Sequence, residues 1–398
     1  MKLRSLKSKT PVGNQAFRVA DMQSRAVSPE GSIAADEVRS TRKRVVLTVS
    51  GVIAPDISEQ IASRRRPRAD YLELAHSFDA DLIDYAAARV IAGRTGRTLE
   101  KLGGPNLVLA FACWKIRKSC DAIVTDGEQI GLPLAAFLKF TPGARPRHLM
   151  IVHVISEHKK VFFLDWLRVQ TAIDRFITYS RWQQRFIEDR WKLNGKRVLW
   201  TPFMVDKDFF AAKNVVPKSG ARPQICAVGL ERRDYDTLLR AVADLDVRVV
   251  IAAASPWSRR SEAIETDIPS NVTFQRFTQY DLRQLYADSA FTVMPLHNVK
   301  FQAGVTAILE SLAMGKAVIC SRVPGQTDVL VEGENGRYVA PGDPLALRSI
   351  ICQLLSRPEE AARLGTNGRS LVEREMSLDL YVQRLTAFLQ DAVYAKKA

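Results

Sequence analysis

From residue 43 onward, short apolar runs alternate with longer stretches in which apolar positions recur at helical spacing. The short runs predict strands over 44–50, 120–125, 148–153, 175–179 and 198–201, with helices over 98–118, 128–139 and 181–193. Ser180 and Gln183 have the spacing of a capping box at the head of the last of these helices. A polar stretch at 211–223 has the character of a domain linker, and the alternation then resumes. It predicts strands over 224–229, 247–253, 272–277, 291–295, 317–321 and 337–339, with helices over 235–243, 281–287, 305–314 and 344–355. A last helix is expected over 378–393. Strands alternating with helices in both halves predict an α/β protein with two parallel-sheet domains, 43–210 and 211–376. No short period recurs, so a solenoid is not supported. Ligands of such folds lie at the carboxyl ends of strands, and two facing domains make a cleft. The chemistry is therefore expected in strand-to-helix loops.

Composition narrows the picture. The 398 residues are 46% hydrophobic and 25% charged, which excludes a disordered chain and a disulfide-stapled miniature. Residues 1–42 mix Lys, Arg, Ser, Gly and Pro with few large apolar groups and read as a flexible basic tail. The net charge of +15 is uneven: residues 1–200 hold 34 basic and 20 acidic side chains, residues 201–398 hold 24 and 23. No apolar run approaches the roughly 18–20 residues that span a bilayer, and the N-terminus lacks the apolar core of a secretory signal. A cytoplasmic protein is expected. The five scattered cysteines form no C-x-x-C pair and read as reduced thiols. His153 and His158 flank Glu157 at a spacing unlike that of zinc-binding H-E-x-x-H, so no metal is expected.

The densest group of chemistry-bearing residues is 301–321. Gly304 precedes an amphipathic helix whose opening amides, with Val305 and Thr306, suit a phosphate. Glu310 lies in an otherwise apolar face between Leu309 and Leu312. It either grips a ribose diol with its two oxygens or is an ordinary exposed or ion-paired carboxylate. Earlier, Arg232 and Arg233 follow the first strand of the second half, where by themselves they read as a solvated charged turn beside Asp234 and Asp236. In the first half, the strand 148–153 ends in His153. Gly51 follows the first strand, where a residue without a side chain lets backbone approach a ligand. Asp126 reads as a helix N-cap, and Glu128, in the same loop, is a candidate to face an acceptor.

These motifs, in this order, resemble the nucleotide-sugar site of retaining GT-B glycosyltransferases, most closely glycosyltransferase family 4. That family has two Glu residues separated by seven others and then a Gly-Lys-Pro-Val-like turn. Glu310 matches the second Glu and Gly315-Lys316-Ala317-Val318 the turn, while Gln302 stands at the first Glu. Pro324-Gly325-Gln326-Thr327-Asp328, Glu332-Gly333-Glu334-Asn335-Gly336 and Pro341-Gly342-Asp343-Pro344 follow in the family's order. Upstream, Asn271-Val272-Thr273-Phe274, leading to Leu282 and Leu285-Tyr286, resembles the loop whose backbone reads the base, and Arg276 in that loop is a donor-side candidate. The likeness covers roughly 195–375 well and 44–194 weakly.

The resemblance implies a GT-B fold of two Rossmann-like domains, with the last helix crossing back onto the first. It implies a metal-independent transfer, without a cofactor, of a sugar from a UDP- or GDP-linked donor to a lipid-linked or polysaccharide acceptor. Arg232, Arg233 and the amides around Gly304–Thr306 would bind the diphosphate, and Glu310 the ribose. Gln302 and His153, with His158 as the fallback, would position the sugar, and Gly51 would approach the diphosphate. The departing phosphate would help to deprotonate the acceptor. Basic clusters at 64–68, 115–118, 145–147 and 159–160 fit an anionic membrane surface or a phosphate-bearing acceptor. Nucleic acid would feel the same field, but no nucleic-acid-binding motif accompanies it. Two other readings stand beside the transferase: a noncatalytic GT-B module that binds a nucleotide sugar or glycan, motivated by Gln302, and a sugar-nucleotide epimerase.

Overall fold

A computed structural model describes residues 43–218, 220–253 and 267–394; the expected tail at 1–42 lies outside them. The first half contains strands β1 (Val45–Thr48), β2 (Asp81–Ile83), β3 (Ala122–Asp126), β4 (Arg147–Val152), β5 (Arg175–Thr178) and β6 (Val198–Trp200). The second contains β7 (Gln224–Val228), β8 (Arg248–Ala252), β9 (Val272–Gln275), β10 (Phe291–Met294), β11 (Ala317–Ser321) and β12 (Gly336–Val339). They form two six-stranded sheets, ordered β2-β1-β3-β4-β5-β6 and β12-β11-β10-β7-β8-β9, with every neighbouring pair parallel. The expected two-sheet α/β class is the observed one. Its strands are continuous apolar runs because helices cover both faces of a parallel sheet.

The helices among the described residues are α1 (Ile57–Ala62), α2 (Asp70–Phe78), α3 (Tyr85–Lys115), α4 (Glu128–Phe140), α5 (His158–Leu167) and α6 (Arg181–Trp191) in the first half. The second half has α7 (Tyr235–Val242), α8 (Gln279–Asp288), α9 (Val305–Ala313), α10 (Pro344–Ser356), α11 (Pro358–Glu375) and α12 (Leu378–Tyr394). Alternate residues of β7 serve opposite layers, as the two-residue repeat of a strand requires. Cys226 and Val228 join Ile308 and Leu312 of α9, whereas Ile225 and Ala227 join Leu238 of α7 and Ile351 of α10. The helix α12 packs Tyr381, Leu385 and Leu389 against Val45, Leu47 and Val124 of the first sheet.

Three local expectations are corrected. The helix expected from residue 98 starts at Tyr85 and is interrupted where Gly93 and Gly104 adopt φ of 62° and 72°; Pro105 then opens its last segment. The capping box does not form, since Ser180 makes no side-chain cap bond. Asp126 does not cap α4; Gly127 occupies that position with φ 96°. The edge strand β2, only three residues long, has no periodicity to announce it.

Each sheet grows outward in both directions from its first strand. In the first sheet β1 lies between β2 and β3, and in the second β7 lies between β8 and β10. Helices leaving in opposite directions open a crevice at the carboxyl ends of β1 and β3, and another at β7 and β10. The candidate residues gather at those two crevices.

Candidate active site

In the second half the crevice is built around a buried cation. Gly229 turns sharply off β7 with φ 108°, and Arg233 folds back so that Nε donates to Val228 O (3.0 Å) and Nη1 to Glu231 O (2.7 Å). The adjacent arginine, Arg232, is exposed, with φ 58°, and among the described residues only its backbone carbonyl is engaged, by His297 N (3.1 Å). The two arginines that look equivalent in sequence are therefore split, one inward and one outward. Asp234 does not neutralise Arg233: it caps α7, accepting from Thr237 N (3.1 Å) and Thr237 Oγ1 (2.7 Å). Among the described residues no carboxylate pairs with Arg233, and burial lowers its pKa below the ordinary arginine value.

Two glycines leave room for that guanidinium. A Cβ on Gly229 would stand 2.2 Å from Arg233 Nη2, and one on Gly304 would stand 3.0 Å from the same atom. Gly304 has φ 76° and begins α9 with no side chain bonding to the opening amides. A positive charge and uncapped helix amides thus meet at one point, which is the arrangement that holds an anion. Gly229→Ala should lower stability by about 1–3 kcal/mol through its backbone conformation alone. It should also displace Arg233; a denaturant midpoint unchanged from wild type would contradict this packing.

One turn into α9, Glu310 is 5% exposed and its Oε2 accepts from Tyr286 Oη at 2.8 Å. Neither the exposed nor the ion-paired alternative applies. Burial raises its pKa to about 7, only partly countered by the tyrosine hydroxyl. No bond is made by Oε1 among the described residues. Gln302 is also buried: its Nε2 donates to Asp328 Oδ2 (3.4 Å), while Oε1 has no partner. That Asp328 oxygen also accepts from the Arg181 amide of the first half (2.9 Å). Gln183 uses its whole amide in the same way. Its Oε1 accepts from Ile155 N (3.2 Å), and its Nε2 donates to Ser156 Oγ (3.0 Å) and to Lys300 O (2.8 Å). The loop before Gly304 is thereby tied to the loop after β4.

In the first half, β3 and β4 deliver Asp126 and His153 to their carboxyl ends. The parallel register pairs Asp126 with Ile151, two residues before His153. His153 Nε2 lies 2.8 Å from Asp126 Oδ1, and Nδ1 lies 2.5 Å from Tyr179 Oη beyond the end of β5. Burial opposes a charge on this ring, but the Asp126 carboxylate and its hydrogen bond, then Glu128 and Asp70, outweigh it and raise the pKa to about 9. Glu128 is fully buried, accepting from Val154 N with one oxygen and lying 4.0 Å from Lys160 Nζ with the other. It holds the loop after His153 rather than opening to a cleft.

The other candidates are dispersed. Gly51 joins the loop after β1, its carbonyl accepting from Tyr85 N (2.9 Å). Val305 is buried and Thr306 exposed at the head of α9. Arg276 is exposed just past β9 on the sheet edge, with β8 between that strand and β7. His158 opens α5, but its side chain lies outside the described residues. Reading the sequence missed Asp126, Tyr179, Gln183 and Asp328 as members of the site. Only the strand ends at Asp126 and Tyr179 carried a signal, since ligand-facing side chains gather there.

Residues 222–357 match the family described as glycosyl transferases group 1. The chain is 26% identical over 169 residues to a GDP-mannose-dependent monoacylated alpha-(1-6)-phosphatidylinositol monomannoside mannosyltransferase of Corynebacterium glutamicum, covering 40% of this chain and 44% of that one. It is 26% identical over 249 residues to a D-inositol 3-phosphate glycosyltransferase of Thermomonospora curvata, covering 55% and 57%. The chain thus spans about half the length of these curated relatives. Among solved structures, Anabaena Alr3699/HepE in complex with UDP and glucose superposes with a TM-score of 0.61 at 15% identity, covering 88% of this chain and 99% of that one. Residues 222–357 thus match the glycosyl transferases group 1 family, and the chain has the two-sheet GT-B fold.

Proposed function

We propose that this protein transfers a sugar from a UDP- or GDP-linked donor to a lipid-linked or polysaccharide acceptor, with retention and without a metal. The observation that carries the reading is the Arg233 guanidinium, buried with no carboxylate partner among the described residues, between Gly229 and Gly304 and facing the uncapped head of α9. A desolvated fixed cation with helix amides stabilises charge developing on a leaving diphosphate. Glu310 Oε1 would take the ribose hydroxyls, with Oε2 anchored on Tyr286. Gln302 Oε1, unpartnered and buried, would receive a sugar hydroxyl. The names of the relatives support a phosphoinositide-like or phosphorylated polyol acceptor, and the solved neighbour supports UDP. No helix among the described residues is long and apolar enough to cross a membrane. The basic first half supports peripheral attachment at an anionic cytoplasmic face.

The decisive experiment combines a thermal-shift screen against UDP, GDP, ADP and TDP with release of nucleotide from UDP- and GDP-sugars in the presence of a membrane extract. One nucleotide should raise the melting temperature, and the matching sugar donor should be consumed. Binding without consumption would favour the noncatalytic module, which Gln302 supports because an amide brings no negative charge to the reacting centre. Binding of no nucleotide would remove both readings.

A further inference from the structure

The carboxyl end of β3 carries a group that the comparisons assign no role. We propose that Asp126, and not His153, touches the acceptor, its free carboxylate oxygen taking a hydrogen bond from an acceptor hydroxyl. The inference rests on the glycosyltransferase reading and names a substrate-contacting residue within it.

Both nitrogens of His153 are already used, on Asp126 Oδ1 (2.8 Å) and Tyr179 Oη (2.5 Å). The ring cannot bind a sugar or an acceptor without giving up one of them. Asp126 is the reverse case. Its Oδ1 is held by the imidazole, its Oδ2 makes no bond among the described residues, and its side chain is 41% exposed. Its backbone is pinned on the β1 side, with N–H donating to Thr48 Oγ1 (3.0 Å) and the carbonyl accepting from Ser50 Oγ (3.1 Å). That position is the crevice between β1 and β3, where the strand order reverses and where ligands of open parallel sheets bind.

The chemistry follows from the group. An ionised carboxylate only accepts hydrogen bonds, so it selects O–H donors and repels phosphate. The part of the acceptor that reaches β3 is an uncharged polyol, and any phosphate it bears lies elsewhere on this basic half. His153 acts through Asp126 as a positioning residue, fixing the carboxylate's orientation.

The test titrates protein saturated with UDP or GDP with two polyol probes, myo-inositol and methyl α-D-mannopyranoside, by calorimetry. Wild type should bind at least one of them. Asp126→Asn should weaken that binding by about tenfold or more, because an amide turned toward His153 loses the charge that attracts the hydroxyl. His153→Gln, whose amide can still donate to Oδ1, should cost less, about threefold. Asp126→Ser serves the same purpose should the Asn variant not fold. Equal affinity in wild type and the Asp126 variants, an equal or greater loss in His153→Gln, or no polyol binding by wild type would each overturn the assignment. A wild type that binds polyol through Asp126 but no nucleotide would instead overturn the glycosyltransferase reading and leave Asp126 as a polyol contact with no acceptor role.

Discussion

Arg233→Ala is expected to weaken UDP or GDP binding by roughly 10- to 100-fold, the ~1.5–3 kcal/mol of a charge-assisted contact to phosphate. Binding of uridine or guanosine should scarcely change. The nucleoside comparison is needed because Arg233 also satisfies Val228 O and Glu231 O (3.0 and 2.7 Å), so its loss disturbs the turn after β7. A disturbed turn alone would weaken nucleoside and nucleotide alike, and that result would remove the diphosphate role. Arg233→Lys should fall between, since an ammonium restores the charge but not the planar fork that reaches two carbonyls while presenting Nη2 toward Gly304. Arg232→Ala should have the smaller effect, because that side chain is exposed and its charge is screened by solvent.

Glu310→Gln should do two opposite things. The folded-state pKa of about 7 lies above the ordinary glutamate value of 4.5, so the native protein holds a proton that the unfolded chain has released between those pH values. Stability from this group is therefore fully present below pH 4.5 and is lost as pH rises through 7, by on the order of 3 kcal/mol. Glutamine carries no charge to desolvate and still accepts from Tyr286, so the variant should melt higher than wild type at pH 8 and alike near pH 4.5. Nucleotide affinity should move the other way. In wild type it should rise as pH passes 7 and Glu310 ionises to receive two ribose hydroxyls, whereas in Glu310→Gln it should be lower and flat over the same range. A variant that is more stable at pH 8 yet binds UDP or GDP as tightly as wild type would show that Glu310 is buried for packing and not for the ribose.

Much of the frame was legible along the chain. Strand β11 lies where the apolar run 317–321 placed it, and β7 and β10 end one residue short of their expected ends. Parallel strands buried on both faces leave this trace because they have no polar side. Turn and cap readings fared less well, because polar side chains choose among competing partners. Gln183 has capping-box spacing, but its amide is consumed by Ile155, Ser156 and Lys300, the last of them 117 residues away. Asp126 stands where an N-cap would, but Gly127, with φ 96°, takes the cap and frees the carboxylate for His153.

The alternation of strands and helices, the two-sheet class, and the order of glycines, arginines and Glu310 along the second half can all be read from the chain alone. These depend on local periodicity and on backbone chemistry that a single residue type can signal. Which of two adjacent arginines is buried against Gly229 and Gly304, that Glu310 rests on Tyr286, and that Asp126 and His153 are hydrogen-bonded emerge only once the chain is folded. Each depends on strand order and register, which bring residues 24 to 71 positions apart into contact, and on burial, which no local pattern encodes.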